Sequence, residues 1–248
     1  FFFTLKTASE IPKRYWSSDV CSFRSRVGGV LGQRDGARVA LERRDAVNIA
    51  PGNEMPVIVR SEKNHLAVMR WGLIPRWTKD IRTAKPLINA RAETLAEKTA
   101  FQGLLKNHRC LVPASGFFEW KKEGKMKIPY YLHLTDEPVF SFAGLHDQWH
   151  NPEGVTVSTY TIITCDANSL VAPVHERMPV ILSRLGEERW LDPDPVTPED
   201  LKKILVPFPA GCMEAIPVSD LVNNPSVDDE RVIQPLGSFP GTQTHLPV

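Results

Sequence analysis

Met55-Pro56-Val57-Ile58-Val59-Arg60, followed by Ser61-Glu62-Lys63-Asn64 and then His65-Leu66-Ala67-Val68-Met69-Arg70-Trp71, reads as two short strands separated by a polar turn. The same pattern recurs outward along the chain at Ile128–Leu134, Val139–Leu145 and Ser158–Thr164. Helix signals are sparse. Thr7-Ala8-Ser9-Glu10 and Thr94-Leu95-Ala96-Glu97 have the form of capping boxes, and the second predicts a helix running to about Lys106. Thr197-Pro198-Glu199-Asp200 predicts a third helix, with proline where its missing N–H costs nothing. Strands in succession with scattered helices point to an α+β fold, a single domain with a mostly antiparallel β-sheet or open-barrel core and a few peripheral helices. Residues 1–236 are expected to form that domain, with an irregular loop over Ser17–Arg44 and a disordered tail from Gly237 to Val248.

The chain has 248 residues, 42% hydrophobic and 24% charged, enough to bury a core without disulfides or metals. Its longest apolar runs fall far short of the roughly 18 residues a membrane span needs. Four cysteines, Cys21, Cys110, Cys165 and Cys212, lack C-x-x-C spacing, so they suit a reducing compartment and the last three read as core thiols. The net charge of +1 hides an asymmetry: Met69–Lys127 holds 13 Lys and Arg against five Asp and Glu, together with Trp71, Trp77, Phe117, Phe118 and Trp120. Cations interleaved with rings suit single-stranded nucleic acid, where phosphates and unstacked bases are gripped together. A solvated lysine face over a tryptophan-rich core accounts for the same composition equally well.

No phosphate loop, dinucleotide fingerprint or G-x-S-x-G elbow occurs, so no cofactor is expected. His146 and His150, four apart beside Trp149, read as surface histidines and not as a metal site. Four segments carry more chemistry. In Gly116-Phe117-Phe118-Glu119-Trp120 a lone carboxylate sits among rings; burial there would raise its pKa from about 4.3, whereas a strand position facing solvent would leave it ordinary. His175-Glu176-Arg177-Met178-Pro179 sets an imidazole beside a guanidinium, and Asn89-Ala90-Arg91-Ala92-Glu93 offers an orienting amide and a second guanidinium; both also read as plain polar loops. Asn48-Ile49-Ala50-Pro51-Gly52 reads most simply as a tight turn.

In their order and spacing these segments, with Arg70-Trp71-Gly72-Leu73-Ile74-Pro75-Arg76-Trp77, Arg109-Cys110-Leu111-Val112-Pro113, Phe142-Ala143-Gly144-Leu145 and Thr161-Ile162-Ile163-Thr164, resemble the SRAP family of SOS response-associated peptidases and abasic-site processing proteins. The resemblance implies a sensor of abasic sites in single-stranded DNA that crosslinks to them through an N-terminal cysteine, forming a thiazolidine, and that removes its own initiator Met. It places the acid–base roles on Glu119 and His175 and the orienting amide on Asn89. Contacts to DNA fall on Asn48, Trp71, Trp77, Arg91, Trp120, Thr164 and Arg177. It also implies a monomer with no metal, resident in the cytoplasm or, in a eukaryote, the nucleus. The family begins Met-Cys-Gly-Arg before a Phe-Thr-Leu-like run, whereas this sequence begins Phe1-Phe2-Phe3-Thr4-Leu5. Two readings therefore stand: a DNA-repair enzyme with lyase and self-processing activity once the cysteine is present, or a single-stranded-DNA-binding module that keeps the groove but does not crosslink. A general cysteine peptidase ranks below both, since no Cys lies in a recognisable nucleophile motif.

Overall fold

Alternation and burial decide where each strand goes. The computed structural model describes residues 2–6, 45–151 and 153–237. The expected capping box at Thr7, the loop over 17–44, Cys21 and the tail beyond Gly237 lie outside the described residues. In chain order the strands are Phe2–Lys6 (β1), Asp45–Ile49 (β2), Glu54–Arg60 (β3), Asn64–Trp71 (β4), Asn89–Arg91 (β5), Arg109–Ala114 (β6) and Gly116–Glu123 (β7). Met126–Leu134 (β8), Phe140–His150 (β9), Thr156–Asp166 (β10), Arg177–Pro179 (β11), Ile181–Leu182 (β12) and Met213–Pro217 (β13) follow. Short helices cover Thr99–Gln102 (α1), Leu104–Asn107 (α2), Arg184–Leu191 (α3) and Pro198–Ile204 (α4).

Five strands close into a barrel: β3 pairs with β4, β4 runs parallel to β10, β10 pairs with β9, β9 with β6, and β6 with β3. Closure removes the exposed edges an open sheet would leave. Closure encloses the inner face; β3, with five consecutive buried residues, and β6, with all six buried, are covered on the outer face as well, whereas β4 is not. The second sheet, in the order β13-β8-β7-β1-β2, lies against the barrel. Because successive side chains alternate, Phe117 packs inward while Phe118 joins Val47, Tyr131, Val222 and Val232 in a separate cluster on the outer face. Ring contacts of Phe3 and Phe117 with Phe142, at centroid separations of 5.9 and 6.0 Å, fasten this sheet to β9. Each buried Phe contributes about 1.5–3 kcal/mol through lost apolar exposure.

The α+β architecture agrees with the expectation, and the open barrel is in fact closed. The helix expected from Thr197 forms as α4, and it opens on a capping box, the Thr197 hydroxyl accepting from Asp200 N–H and the Asp200 carboxylate accepting from Thr197 N–H. The Thr94 helix does not form as one piece. A 3-10 turn over Ala92–Thr94 is followed by α1 and α2, with Lys98 as the α1 N-cap and no side-chain cap. Leu95 and Leu104 are both buried, and nine residues of α-helix would place them about 180° apart around one axis, so a single helix could not deliver both to the core. His146 is not a surface residue either: it is half-buried, its ring 5.2 Å from that of His108, and burial lowers its pKa to about 4. Cys110 and Cys165 are core thiols, but Cys212 is exposed.

Part of the basic segment serves the fold. Arg109 directs its donors to the carbonyls of Trp190, Leu105, Lys106, Asp192 and Asp194, tying α2 to the end of α3. Gly116 is required by a close approach: a Cβ there would lie 2.3 Å from the Tyr131 ring, whose hydroxyl donates to Ser115 O. Gly116→Ala is expected to cost about 1–3 kcal/mol, the range for overpacking a closed core, read as a lower urea midpoint at unchanged slope.

Candidate active site

β10 brings the site together. Beyond the end of β4, β5 continues along the same edge of β10, with Ile162 opposite Asn89 and Thr164 opposite Arg91. On the other edge β11 pairs antiparallel, placing Arg177 opposite Asp166. Register positions two apart share a face, so Asn89, Arg91, Thr164 and Arg177 all project to one side. Glu119 arrives from the second sheet on β7. Together with His175, Glu176 and Met178 these residues line a cavity of about 310 Å3.

Glu119 is 6% exposed. Burial pushes its carboxyl above the ordinary range, an effect partly offset by nearby positive charge that includes His175. The rings next to it in sequence do not contribute to that burial. Phe118 and Trp120 alternate to the opposite face of β7, where Trp120 meets Phe2 edge-on and donates its indole N–H to Asn223. His175 Nδ1 lies 4.0 Å from Glu119 Oε1 and 3.1 Å from both the amide N and the carbonyl O of Arg177. A neutral ring therefore accepts from the Arg177 N–H and a protonated one donates to its carbonyl, so His175 keeps a partner in either state. Asn89 Oδ1 is buried with no hydrogen-bond partner among the described residues.

This order of strands and this set of residues can be compared with known proteins. Residues 22–225 match the family of SOS response associated peptidase (SRAP). The chain belongs to the SRAP family. The abasic site processing protein YoqW of Bacillus subtilis is 43% identical over 195 residues, covering 78% of this chain and 87% of the relative. The abasic site processing protein HMCES of Xenopus tropicalis is 32% identical over 240 residues, covering 82% and 70%. A crystal structure of a Bacteroides thetaiotaomicron protein superposes with a TM-score of 0.76 at 31% identity, covering 95% of this chain and 99% of that one.

Other residues singled out in the sequence of this SRAP chain lie elsewhere. Asn48 is buried and does not line the cavity, its amide donating to the carbonyls of Val222, Asn224 and Val227, so it fastens the C-terminal turns. Trp71 is 1% exposed and its N–H donates to Ile88 O, which makes it a staple across the base of loop 72–88 and not a platform for a base. Trp120 faces away from Glu119, as described above. Trp77, 61% exposed on that loop, keeps a ring free to stack. The loop is fixed by Arg76 on Asp147 and by the Trp149 N–H donating to Thr78 O.

Arg177 is more committed than its sequence context suggested. It pairs with both oxygens of Glu93, with Asp166 at 2.7 Å, and with Thr164 O. Burial works against its charge, but the two carboxylates outweigh that and raise its pKa. Glu93 is correspondingly held below the ordinary carboxylate range by its hydrogen bonds from Arg177. Glu93 lay within a quoted motif, but only the fold reveals its partner. Among the described residues no group of three or more His, Cys, Asp and Glu is arranged to hold a metal.

The raised pKa of Glu119 fixes a sign. The folded state holds this proton more tightly than the unfolded chain, so the site loses stability as pH rises through the folded pKa. Glu119→Gln should therefore unfold at higher urea than the unaltered chain at pH 7 and above, with the gap closing below about pH 4, where both states carry the proton. Urea midpoints measured across pH check this, and a gap that is independent of pH would mean that Glu119 is not buried as a strained carboxylate.

Proposed function

We propose that this chain senses abasic sites in single-stranded DNA and becomes covalently linked to them through an amino-terminal cysteine, with removal of the initiator Met exposing that residue. The observation that carries the reading is the convergence of a buried, proton-retaining Glu119, His175 beside it and the unpartnered Asn89 Oδ1 in one cavity. β1 runs antiparallel to β7 with Phe2 opposite Phe118, so its N-terminal end points along β7 toward Glu119. The names of the Bacillus and Xenopus relatives agree with this substrate.

The chemistry follows from the groups. An abasic sugar opens from its ring hemiacetal to an aldehyde, and opening moves a proton from the anomeric hydroxyl to the ring oxygen. His175 and Glu119 are suited to take and return that proton. The α-amine of the cysteine adds to the aldehyde carbon, water leaves, and an imine forms. The thiol then adds across the C=N bond, sulfur to carbon and proton to nitrogen, closing a thiazolidine. Glu119 in its acid form supplies the proton that lets water depart, which its desolvated setting favours. Asn89 Oδ1 accepts from the amine and holds it in line with the aldehyde. Arg91, exposed at the cavity rim, meets the flanking phosphate, and Trp77 stacks on a neighbouring base.

With Met-Cys-Gly-Arg placed ahead of Phe1, incubation with an abasic single strand should give a band on a denaturing gel that survives without reductant. Glu119→Gln in that protein is expected to slow its appearance by about 10²–10⁴-fold at unchanged DNA affinity. Intact binding with no band from the cysteine-bearing chain would instead leave a single-strand-binding module without crosslinking chemistry. Arg91→Ala should weaken binding and reduce the slope of log affinity against log salt by about 0.7, the value for one single-strand phosphate contact, in a fluorescence-anisotropy titration.

A further inference from the structure

The hairpin of β7 and β8 carries charge that the fold does not use. Lys122 and Lys127 stand directly opposite one another in its register, both exposed and with no carboxylate partner among the described residues. Like charges in that position destabilise a β-pair. On the other face the hairpin handles charge differently: Lys121 is paired to Glu123 at 2.5 Å. Gly124, at φ 60°, supplies the positive φ of the turn, and Lys125 next to it adds a third free cation at the tip. Alternation sets Lys122 and Lys127 on the same face as Trp120, whose half-exposed ring is fixed by the edge of Phe2 and by Asn223. A held ring with unpaired cations beside it fits a flexible polyanion bearing aromatic bases.

We infer that this outer face of the hairpin is a second contact for single-stranded DNA, taking the phosphates of the strand that flanks the lesion. The inference rests on the reading that the cavity takes a single strand. Lys122 lies three residues along β7 from Glu119, about 10 Å at ~3.3 Å per residue. A strand seated at Glu119 reaches the lysines by crossing the hairpin edge, so only DNA extending several nucleotides beyond the lesion engages them. Trp120 thus recovers a nucleic-acid role, on the face opposite the chemistry.

The test compares the unaltered chain with Lys122→Ala/Lys127→Ala on two thymidine oligomers carrying a central tetrahydrofuran abasic analogue, one of about five nucleotides and one of about 25, bracketing single-strand site sizes. The expected result is equal affinity for the short oligomer and weaker binding of the long one, with the salt slope on the long oligomer reduced by about 1.4, two phosphate contacts at ~0.7 each. The variant should also unfold no more easily than the parent, since it loses a like-charge pair. Equal slopes on the long oligomer, or equal losses on both, would overturn the hairpin contact while leaving the cavity reading intact. Failure of the unaltered chain to bind either oligomer would overturn the cavity reading, and the hairpin contact with it.

Discussion

Pairing along both edges of β10 is the constraint on which the rest of the molecule depends. The first part of the strand closes the barrel between β4 and β9. Its last residues exchange those partners for β5 and β11, and that change of neighbours is what assembles Asn89, Arg91, Thr164 and Arg177 on one face. A slip of one residue in either pairing would turn the affected side chains to the opposite side. Thr159 opposes such a slip, because its buried hydroxyl accepts from Ile74 N–H and donates to Asp147 O.

The cavity holds features that a fold selected for stability alone would avoid. Glu119 is a desolvated carboxyl, and Asn89 Oδ1 and Arg177 Nε are buried without hydrogen-bond partners among the described residues. Each lowers the stability of the empty protein. Gathered in one place around a cavity, they describe a surface prepared for a polar, anionic guest. Elsewhere phenylalanines and aliphatic residues fill the space between the barrel and the second sheet.

Much of this was legible in the sequence. Period-two runs and their turn residues revealed β3, β4, β8, β9 and β10, and Thr197-Pro198-Glu199-Asp200, with proline in the first turn, revealed α4. The quoted segments around Asn89, Glu119 and His175 do meet in one cavity. What escaped were properties of register. Trp71 and Trp120 look alike as exposed aromatics in a basic segment, yet one is sealed under loop 72–88 and the other faces away from the carboxylate two strands' widths of chemistry seemed to pair it with. The Thr94 capping box had the right letters, but the core required Leu95 and Leu104 from opposite sides of any one helix. Local pattern proposes an element; the distribution of buried positions decides whether it survives.

Loop 72–88 leaves β4 and returns as β5 on the same edge of β10, so the two strands are one line interrupted by an excursion. Its base is locked by the Leu73–Leu87 bridge, by Trp71 reaching Ile88, and by Gly72 packed against Pro86. A seam of this kind is a natural grafting point. Segments of different length and composition can be exchanged above it while both halves of the interrupted strand keep their places, which lets a lineage or an engineer retune the rim of the cavity without rebuilding its floor.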